Sequence, residues 1–424
     1  MRLTIVTHGS EGDTRPLAAL CRGLMDRGHE LLLFADESTL TLPRKLGVPT
    51  QALAGDIKAT LPIGDPKREI RISDVLRTAN AVKAEIAAHS AAWLKSVGEH
   101  ARDSQVIVFS SLAAGIGRVL RDEFAKPGVG IFFQPLTPTT EFSSPMLPPL
   151  NLPSWARRAT FKVSLSQMWS TCGRAAENAR ASVFGYRRPR RDLDYPIVYG
   201  FSRELVPRPR DWPAQHHLCG HLSLPAIDYQ PPAELVDFLA AGEPPIYAGF
   251  GSPAGFVRVK ALGALIDAIG GRRAIFGPGW SNIDASVLPD NFFVARDVPH
   301  EWLLPRTSVV IHHGGAGTTH TAARAGVPQI ILPIGADHYF WASRVAARAV
   351  APKYTRGARL NASAIARMIE FTQQPDVRAN ARDLGAAMSR ENGIANAVEV
   401  LEQLAGTRSQ EPATRHIGLA ASGS

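Results

Sequence analysis

This sequence predicts an α/β protein of two doubly wound halves facing a central cleft, and three observations predict it. Short apolar runs alternate with helical stretches along most of the chain, the rhythm of parallel sheets joined by crossover helices. A stretch punctuated by Pro207, Pro209, Pro213, Pro225, Pro231 and Pro232 interrupts that rhythm, which then restarts. The chain has 424 residues, 45% of them hydrophobic, more than a single core organises but ample for two.

Leu3 to Val6 forms the first strand, and His8 to Asp13 is a polar, glycine-bearing turn. Pro16 then suits the first turn of a helix that carries Leu17, Leu20 and Leu24 at helical spacing. Glu30 to Ala35 is a nearly continuous apolar run, as expected of a strand buried on both faces. Gln105 to Phe109 and Val129 to Phe133 repeat it. After the proline-rich stretch come Pro245 to Phe250, Arg273 to Phe276, Phe292 to Val294, Ser308 to Ile311 and Gln329 to Leu332, each followed by a turn or helix. The expected organisation is a first domain over 1–204, a semi-rigid linker over 205–232, a second domain over 233–406 and a frayed tail over 407–424.

Composition removes several classes. Cys21, Cys172 and Cys219 have no spacing that suits a zinc ribbon or redox pair, and a disulfide scaffold is out. No run of about 18 apolar residues offers a membrane span. The first apolar run is too short for a signal peptide, so a reducing, cytoplasmic setting is expected. The net charge of +9 fits ordinary solubility, and also contact with an anionic surface or phosphorylated ligand.

One segment concentrates that charge. Trp155 to Arg191 holds Arg157, Arg158, Lys162, Arg174, Arg180, Arg187, Arg188, Arg190 and Arg191, interleaved with Phe161, Leu165, Met168, Trp169 and Phe184. It reads as a solvated basic helix docked by its apolar face, with a peripheral membrane role as the other reading. Nucleic-acid binding is not expected, because no recognition motif accompanies the charge.

The most informative block runs from Val309 to Val345. A strand leads into His312-His313-Gly314-Gly315-Ala316-Gly317-Thr318-Thr319, and a helix follows. Glycines there let backbone N–H groups approach an anion, and the helix N-terminus adds partial positive charge. That arrangement holds a diphosphate without a metal. Thr318 and Thr319 offer hydroxyl donors, and His313 a ring N–H. The order is neither a P-loop nor GxGxxG. The two histidines do not read as a metal pair, since neighbours on a strand end point apart.

This block resembles the donor-binding signature of nucleotide-sugar-dependent glycosyltransferases of the GT-B fold, two Rossmann-like domains about a cleft. It is most similar to the branch holding the antibiotic (vancomycin-type) and sterol glucosyltransferases. The resemblance extends over Gly9 to Pro16 (GSEGDTRP), Phe132 to Phe142, Gly249 to Ser252, the block itself and Glu391 to Gly393. It implies donor contacts from His313, Gly315, Gly317 and Thr318 to the phosphates, with Ser10 and Ser252 near the diphosphate. Trp280 and Val298 would line the base pocket, though core packing also explains Trp280. Asp337 and His338 would hold the sugar hydroxyls. His338 stands where the family usually has Gln, which leaves the sugar open among glucose, galactose, another hexose and a deoxysugar. Uridine and thymidine donors both remain open.

Inverting transfer needs a base for the acceptor hydroxyl. Many relatives place a His three residues before the helix-opening proline, with a partner Asp after a later strand. Here Asp13 holds the first position, and Ser110 and Ser111 follow the later strand, so the dyad is absent. A lone carboxylate suits the slot, as in the antibiotic branch, and Asp13 is the expected base. It could also cap a helix beginning near Thr14. His8 sits too early on the turn. Asp192-Leu193-Asp194 superficially offers a DxD motif, but its arginine and proline flanks make it a charge-balanced loop; neither a metal nor a cofactor is expected.

The N-terminal half should hold the acceptor, with walls from Phe132, Phe133, Phe142, Met146 and the loop to Leu152, and Leu61 to Ile72 as a lid. Core packing fits Phe132 and Phe133 equally well. Apolar walls favour a lipophilic acceptor, a sterol or natural-product aglycone. A nucleotide-sugar epimerase or hydrolase and a non-catalytic sugar-nucleotide-binding partner are the alternative functions.

Overall fold

Two all-parallel sheets carry the molecule. The computed structural model describes residues 1–60, 72–149, 152–189, 193–224, 229–251, 259–279, 287–354 and 361–408. The first sheet is built from β1 (Arg2–Val6), β2 (Glu30–Ala35), β3 (Thr50–Ala52), β4 (Val106–Ser110), β5 (Gly128–Phe132), β6 (Ile197–Tyr199) and β7 (His216–Leu218), in the order β3-β2-β1-β4-β5-β6-β7. The second holds β8 (Ile246–Gly249), β9 (Ala274–Gly277), β10 (Phe292–Val294), β11 (Val309–His312) and β12 (Gln329–Ile331), in the order β10-β9-β8-β11-β12. The continuous apolar runs form the central strands because both faces are covered: all five residues of β4 and of β5 are buried.

Three strands lie outside the sequence reading. β3, β6 and β7 are three residues each, and β3 (Thr50-Gln51-Ala52) and β7 (His216-His217-Leu218) carry polar residues instead of an apolar run. β7 falls within 205–232, so the first sheet extends into the stretch read as linker. Its His216-His217-Leu218 is tolerated because, among the described residues, it is an edge strand that pairs with β6 alone.

Helix α1 spans Glu11–Asp26, three residues earlier than the expected start. Ser10 is its N-cap and Asp13 its third residue, the two reciprocal partners of a capping box. Pro16 therefore lies in the second turn. Its missing N–H leaves the Gly12 carbonyl without its helical donor. The long α2 (Ile72–Ala101) packs on the first sheet, and the Trp93 indole donates to the Ala54 carbonyl at 2.8 Å. Of the expected lid, Leu61 to Ile72, residues 61–71 lie outside the described residues and Ile72 opens α2.

The basic segment is one helical run: α3 (Ser154–Met168), a π turn (Trp169–Gly173) and α4 (Arg174–Phe184). It is not solvated throughout. Arg180 is fully buried beside Glu177 and Asp122, and Arg118 pairs with Glu177 at 3.0 Å. Buried guanidinium groups need such partners. Arg190, Arg191 and Asp192 lie outside the described residues.

In the second unit α5 (Ala316–Arg324) follows β11 and α6 (His338–Ala347) follows β12. The last helix, α7 (Gly393–Arg408), returns to the first sheet's side. Its Ala397, Val398 and Leu401 share a buried cluster with Leu3, Ile5, Leu17, Leu20 and Leu24. A Cβ on Gly23 would meet Ile394 Cγ2 at 2.2 Å, so glycine permits this approach. Across the junction Phe201 meets Trp341 and Phe142 meets Phe340, with ring centroids 5.8 and 5.4 Å apart.

Candidate active site

In a doubly wound sheet the loops after two neighbouring strands diverge where the strand order reverses, leaving a crevice at their carboxyl ends. The first sheet reverses between β1 and β4, the second between β8 and β11. Asp13 follows β1 and Ser111 follows β4; His313 and the glycines follow β11. Topology alone thus gathers the sequence-selected residues.

The Asp13 carboxylate is held at both oxygens. Its Oδ2 accepts from the Ser10 N–H at 2.8 Å and the Ser10 hydroxyl at 3.3 Å, and its Oδ1 accepts from the Ser111 hydroxyl at 2.5 Å. Burial raises the carboxyl above the ordinary carboxylate range; the hydrogen bonds from Ser111 and Ser10 oppose this, and the negative charge of Asp337 across the cleft adds to it. A Cβ on Gly9 would strike Asp13 Oδ2 at 2.3 Å, so only glycine there leaves room for the carboxylate. Ser111 has φ +50°, a costly conformation for a non-glycine residue, and it aims the hydroxyl.

Ser111 occupies the place of the missing partner Asp. Its location after a strand at the reversal point was the signal that could have nominated it. Ser10 performs the capping role considered for Asp13. His8 does not face the cleft: it is fully buried, its Nδ1 2.9 Å from Asp36 Oδ1 and its ring 4.6 Å from that of Trp93.

The paired histidines divide their work. His312 is fully buried; its Nε2 bonds Gln329 Oε1 at 2.9 Å and its Nδ1 accepts from the Gly314 N–H at 3.1 Å. That pattern fixes the neutral ring, and burial pushes it down to about 3. His312 therefore shapes the turn. His313 is turned away from it, the two rings at 82°, and burial holds it well below the ordinary histidine range. A Cβ on Gly315 would lie 2.6 Å from His313 Nε2, whereas one on Gly317 would meet nothing within 4 Å. Gly315 thus makes room for the imidazole and Gly317 opens the helix start. Gly315 is the N-cap of α5, no side chain caps that end, and no acidic residue enters its first turn. Thr318 is half-buried, but Thr319 is not available as a donor: it is fully buried and its hydroxyl bonds the Gly315 carbonyl at 2.9 Å.

Asp337 is the N-cap of α6, yet its side chain accepts from the Trp341 indole at 2.7 Å instead of capping. Burial raises its carboxyl and the indole bond opposes that. The His338 ring stands 4.8 Å from that of His313. Its Nδ1 accepts from the Ile334 and Gly335 N–H groups at 3.4 Å each, and burial brings it down to about 4. Nδ1 so engaged leaves Nε2–H as a donor, where an amide would present donor and acceptor together.

Ser252 and Trp280 lie outside the described residues. Val298 is partly buried against the cluster of Tyr247, Ile275 and Val310. Beneath the turn after β8, Tyr247 Oη bonds His300 Nε2 at 2.8 Å, and a Cβ on Gly249 or Gly277 would meet that hydroxyl at 2.3 or 2.4 Å. Composition carried no signal for this arrangement.

The acceptor residues separate. Phe132 and Phe133, 2% and 6% exposed, belong to apolar clusters on opposite faces of the first sheet and are core residues. Alternation along a strand requires that split. Phe142 sits at the junction, its ring between Phe161, Phe340 and the Arg344 guanidinium. Met146 is exposed on the loop before α3.

Residues 278–404 match the family described as the erythromycin biosynthesis protein CIII-like C-terminal domain. The chain is 32% identical over 444 residues to O-mycaminosyltylonolide 6-deoxyallosyltransferase of Streptomyces fradiae, covering 96% of this chain and 98% of that one. A sterol 3-beta-glucosyltransferase of Arabidopsis thaliana is 27% identical, over 95% of this chain and 68% of its own length. Among solved structures, the glycosyltransferase of kitacinnamycin superposes with a TM-score of 0.68 at 18% identity, over 95% and 98% of the two chains.

Proposed function

The chain belongs to the nucleotide-sugar-dependent glycosyltransferases of the antibiotic and sterol type, with the GT-B fold, and from that premise we propose an inverting, metal-independent hexose transfer. The donor is a UDP- or dTDP-linked hexose and the acceptor a hydroxyl of a lipophilic molecule, a sterol or natural-product aglycone. The observation that carries this reading is Asp13, whose carboxylate is clamped by Ser10 and Ser111 at the first sheet's reversal point, facing the second unit's Asp337.

In this reading the acceptor hydroxyl oxygen attacks the anomeric carbon and its proton passes to Asp13. The bond to the diphosphate oxygen breaks, and its electron pair leaves with the nucleoside diphosphate. The uncapped N-terminus of α5 and a neutral His313 N–H stabilise the departing charge. Asp337 accepts sugar hydroxyls and His338 donates to one. A carboxylate that accepts hydroxyl protons discriminates sugars more sharply than apolar contact does. The absence of a Cβ at Gly317 lets the diphosphate approach the backbone.

The test is mass-spectrometric detection of transfer from UDP-glucose, UDP-galactose and dTDP-glucose to pooled sterols and polyketide or polyphenolic aglycones, with a chelator present. Asp13→Asn should lower kcat by about 10²–10⁴. The product should carry the anomeric configuration opposite to the donor's. Donor consumption without a glycosylated product would replace this reading by an epimerase or hydrolase. Binding without turnover, unaffected by the substitution, would point to a silent partner protein.

A further inference from the structure

The outer face of α3 goes unused in the chemistry above. Its inner side is buried through Thr160, Phe161, Ser164 and Leu165. Its outer side presents Trp155, Arg158, Ala159, Lys162 and Val163 at the i, i+3, i+4, i+7 and i+8 positions of one stripe, all exposed. Trp155 is 79% exposed and Val163 50%. Ser154–Met168 contains Arg157, Arg158 and Lys162 and no acidic residue. Arg158 lies 3.7 Å from Asp211 but keeps 58% of its side chain exposed. The helix is also fastened in place: Arg157 donates to the Leu152 carbonyl at 2.9 Å and the Glu141 carbonyl at 3.1 Å, which ties its start to the Phe142–Met146 loop.

We propose that this face docks the protein on an anionic phospholipid surface, with α3 lying in the plane of the headgroups. An indole at headgroup depth flanked by cations is the arrangement an interfacial helix uses. A protein partner fits less well. Lysine is depleted from the centre of a protein–protein interface, whereas here Lys162 stands in the stripe between Trp155 and Val163. The adjoining loop carries the exposed Met146, so docking brings that loop to the bilayer.

The experiment is cosedimentation of the full chain with vesicles of phosphatidylserine and phosphatidylcholine at about 3:7, and with phosphatidylcholine alone. It contains no sugar donor, so its outcome is independent of the transferase reading. Wild type should bind the anionic vesicles and release them between about 0.1 and 0.5 M salt. Each cation near such a surface is worth roughly fivefold in affinity, so R158E/K162E should bind at least about tenfold more weakly. Trp155→Ala should weaken binding with its salt dependence kept. Arg367→Glu, an exposed cation on the second unit, should leave binding unchanged. No wild-type binding, or equal binding by wild type and R158E/K162E, overturns the proposal. Concentration-dependent self-association lost in Trp155→Ala, without vesicle binding, overturns it in favour of a second copy.

Discussion

A carboxylate gripped at both oxygens by donors cannot rotate, and that is the state of Asp13 between Ser10 and Ser111. In the proposed reaction Asp13 is the base and must be deprotonated, so activity should be lost as pH falls through its raised pKa, above the ordinary carboxylate range. Ser111→Ala removes a hydrogen bond that lowers that pKa. The acid limb of the kcat profile should move to higher pH, with kcat reduced roughly tenfold, the worth of one bond to a charged group. Rescue by Ser111→Thr, with the limb restored, would distinguish positioning from loss of fold. At the other wall His338→Gln supplies an acceptor that the Nε2–H of the imidazole does not. Donor competition should then shift toward the sugar whose hydroxyl donates at that position, read as a change in kcat/KM ratio between UDP-glucose and UDP-galactose. Asp13 and His313 stand out as candidates in the sequence because the motifs that carry the family resemblance, with their proline and glycines, are local. The position of Ser111 after the later strand is visible in the sequence, but its bond to Asp13 is not, because the two lie 98 residues apart in the chain.

Elements show the same division. Pro16 suggests a first turn and so a start near Thr14, whereas the capping box of Ser10 and Asp13 sets the start of α1 at Glu11. The strands were legible where a continuous apolar run marks them and missed in β7, whose His216-His217-Leu218 carries no such run. Docking of α7 onto α1 depends on one missing side chain. Gly23→Ala should raise helix propensity by about 1 kcal/mol but force Ile394 aside, and overpacking of this kind costs typically 1–3 kcal/mol. A net loss of stability is expected, checked by thermal unfolding, and Gly23→Ala combined with Ile394→Val should recover part of it.

At the scale of the molecule, buried histidines make stability depend on pH. Burial lowers His216, His320 and His338 to about 4, and His300 and His312 to about 3, from an unfolded value of 6.5. The unfolded chain therefore binds more protons below pH 6.5, and stability should fall as pH drops from there toward 4. Asp13, Asp337 and Glu391, all raised by burial, act in the opposite sense, gaining stability as pH falls through their raised values, but they are outnumbered by the buried histidines. Denaturant midpoints measured between pH 7 and 5 should decrease steadily; a flat profile would contradict the buried neutral histidines.

The sequence by itself determined the two parallel-sheet halves and the glycine turn before α5, because these follow from hydrophobic period and local backbone chemistry. Only the tertiary structure decided that Phe132 and Phe133 are core residues, that Thr319 turns inward, that β7 and α7 complete the first unit, and that Ser111 meets Asp13. Those outcomes depend on which strands become neighbours and on which side of a sheet a helix returns. Contacts of that kind join residues far apart in the chain, and no local pattern of side chains encodes them.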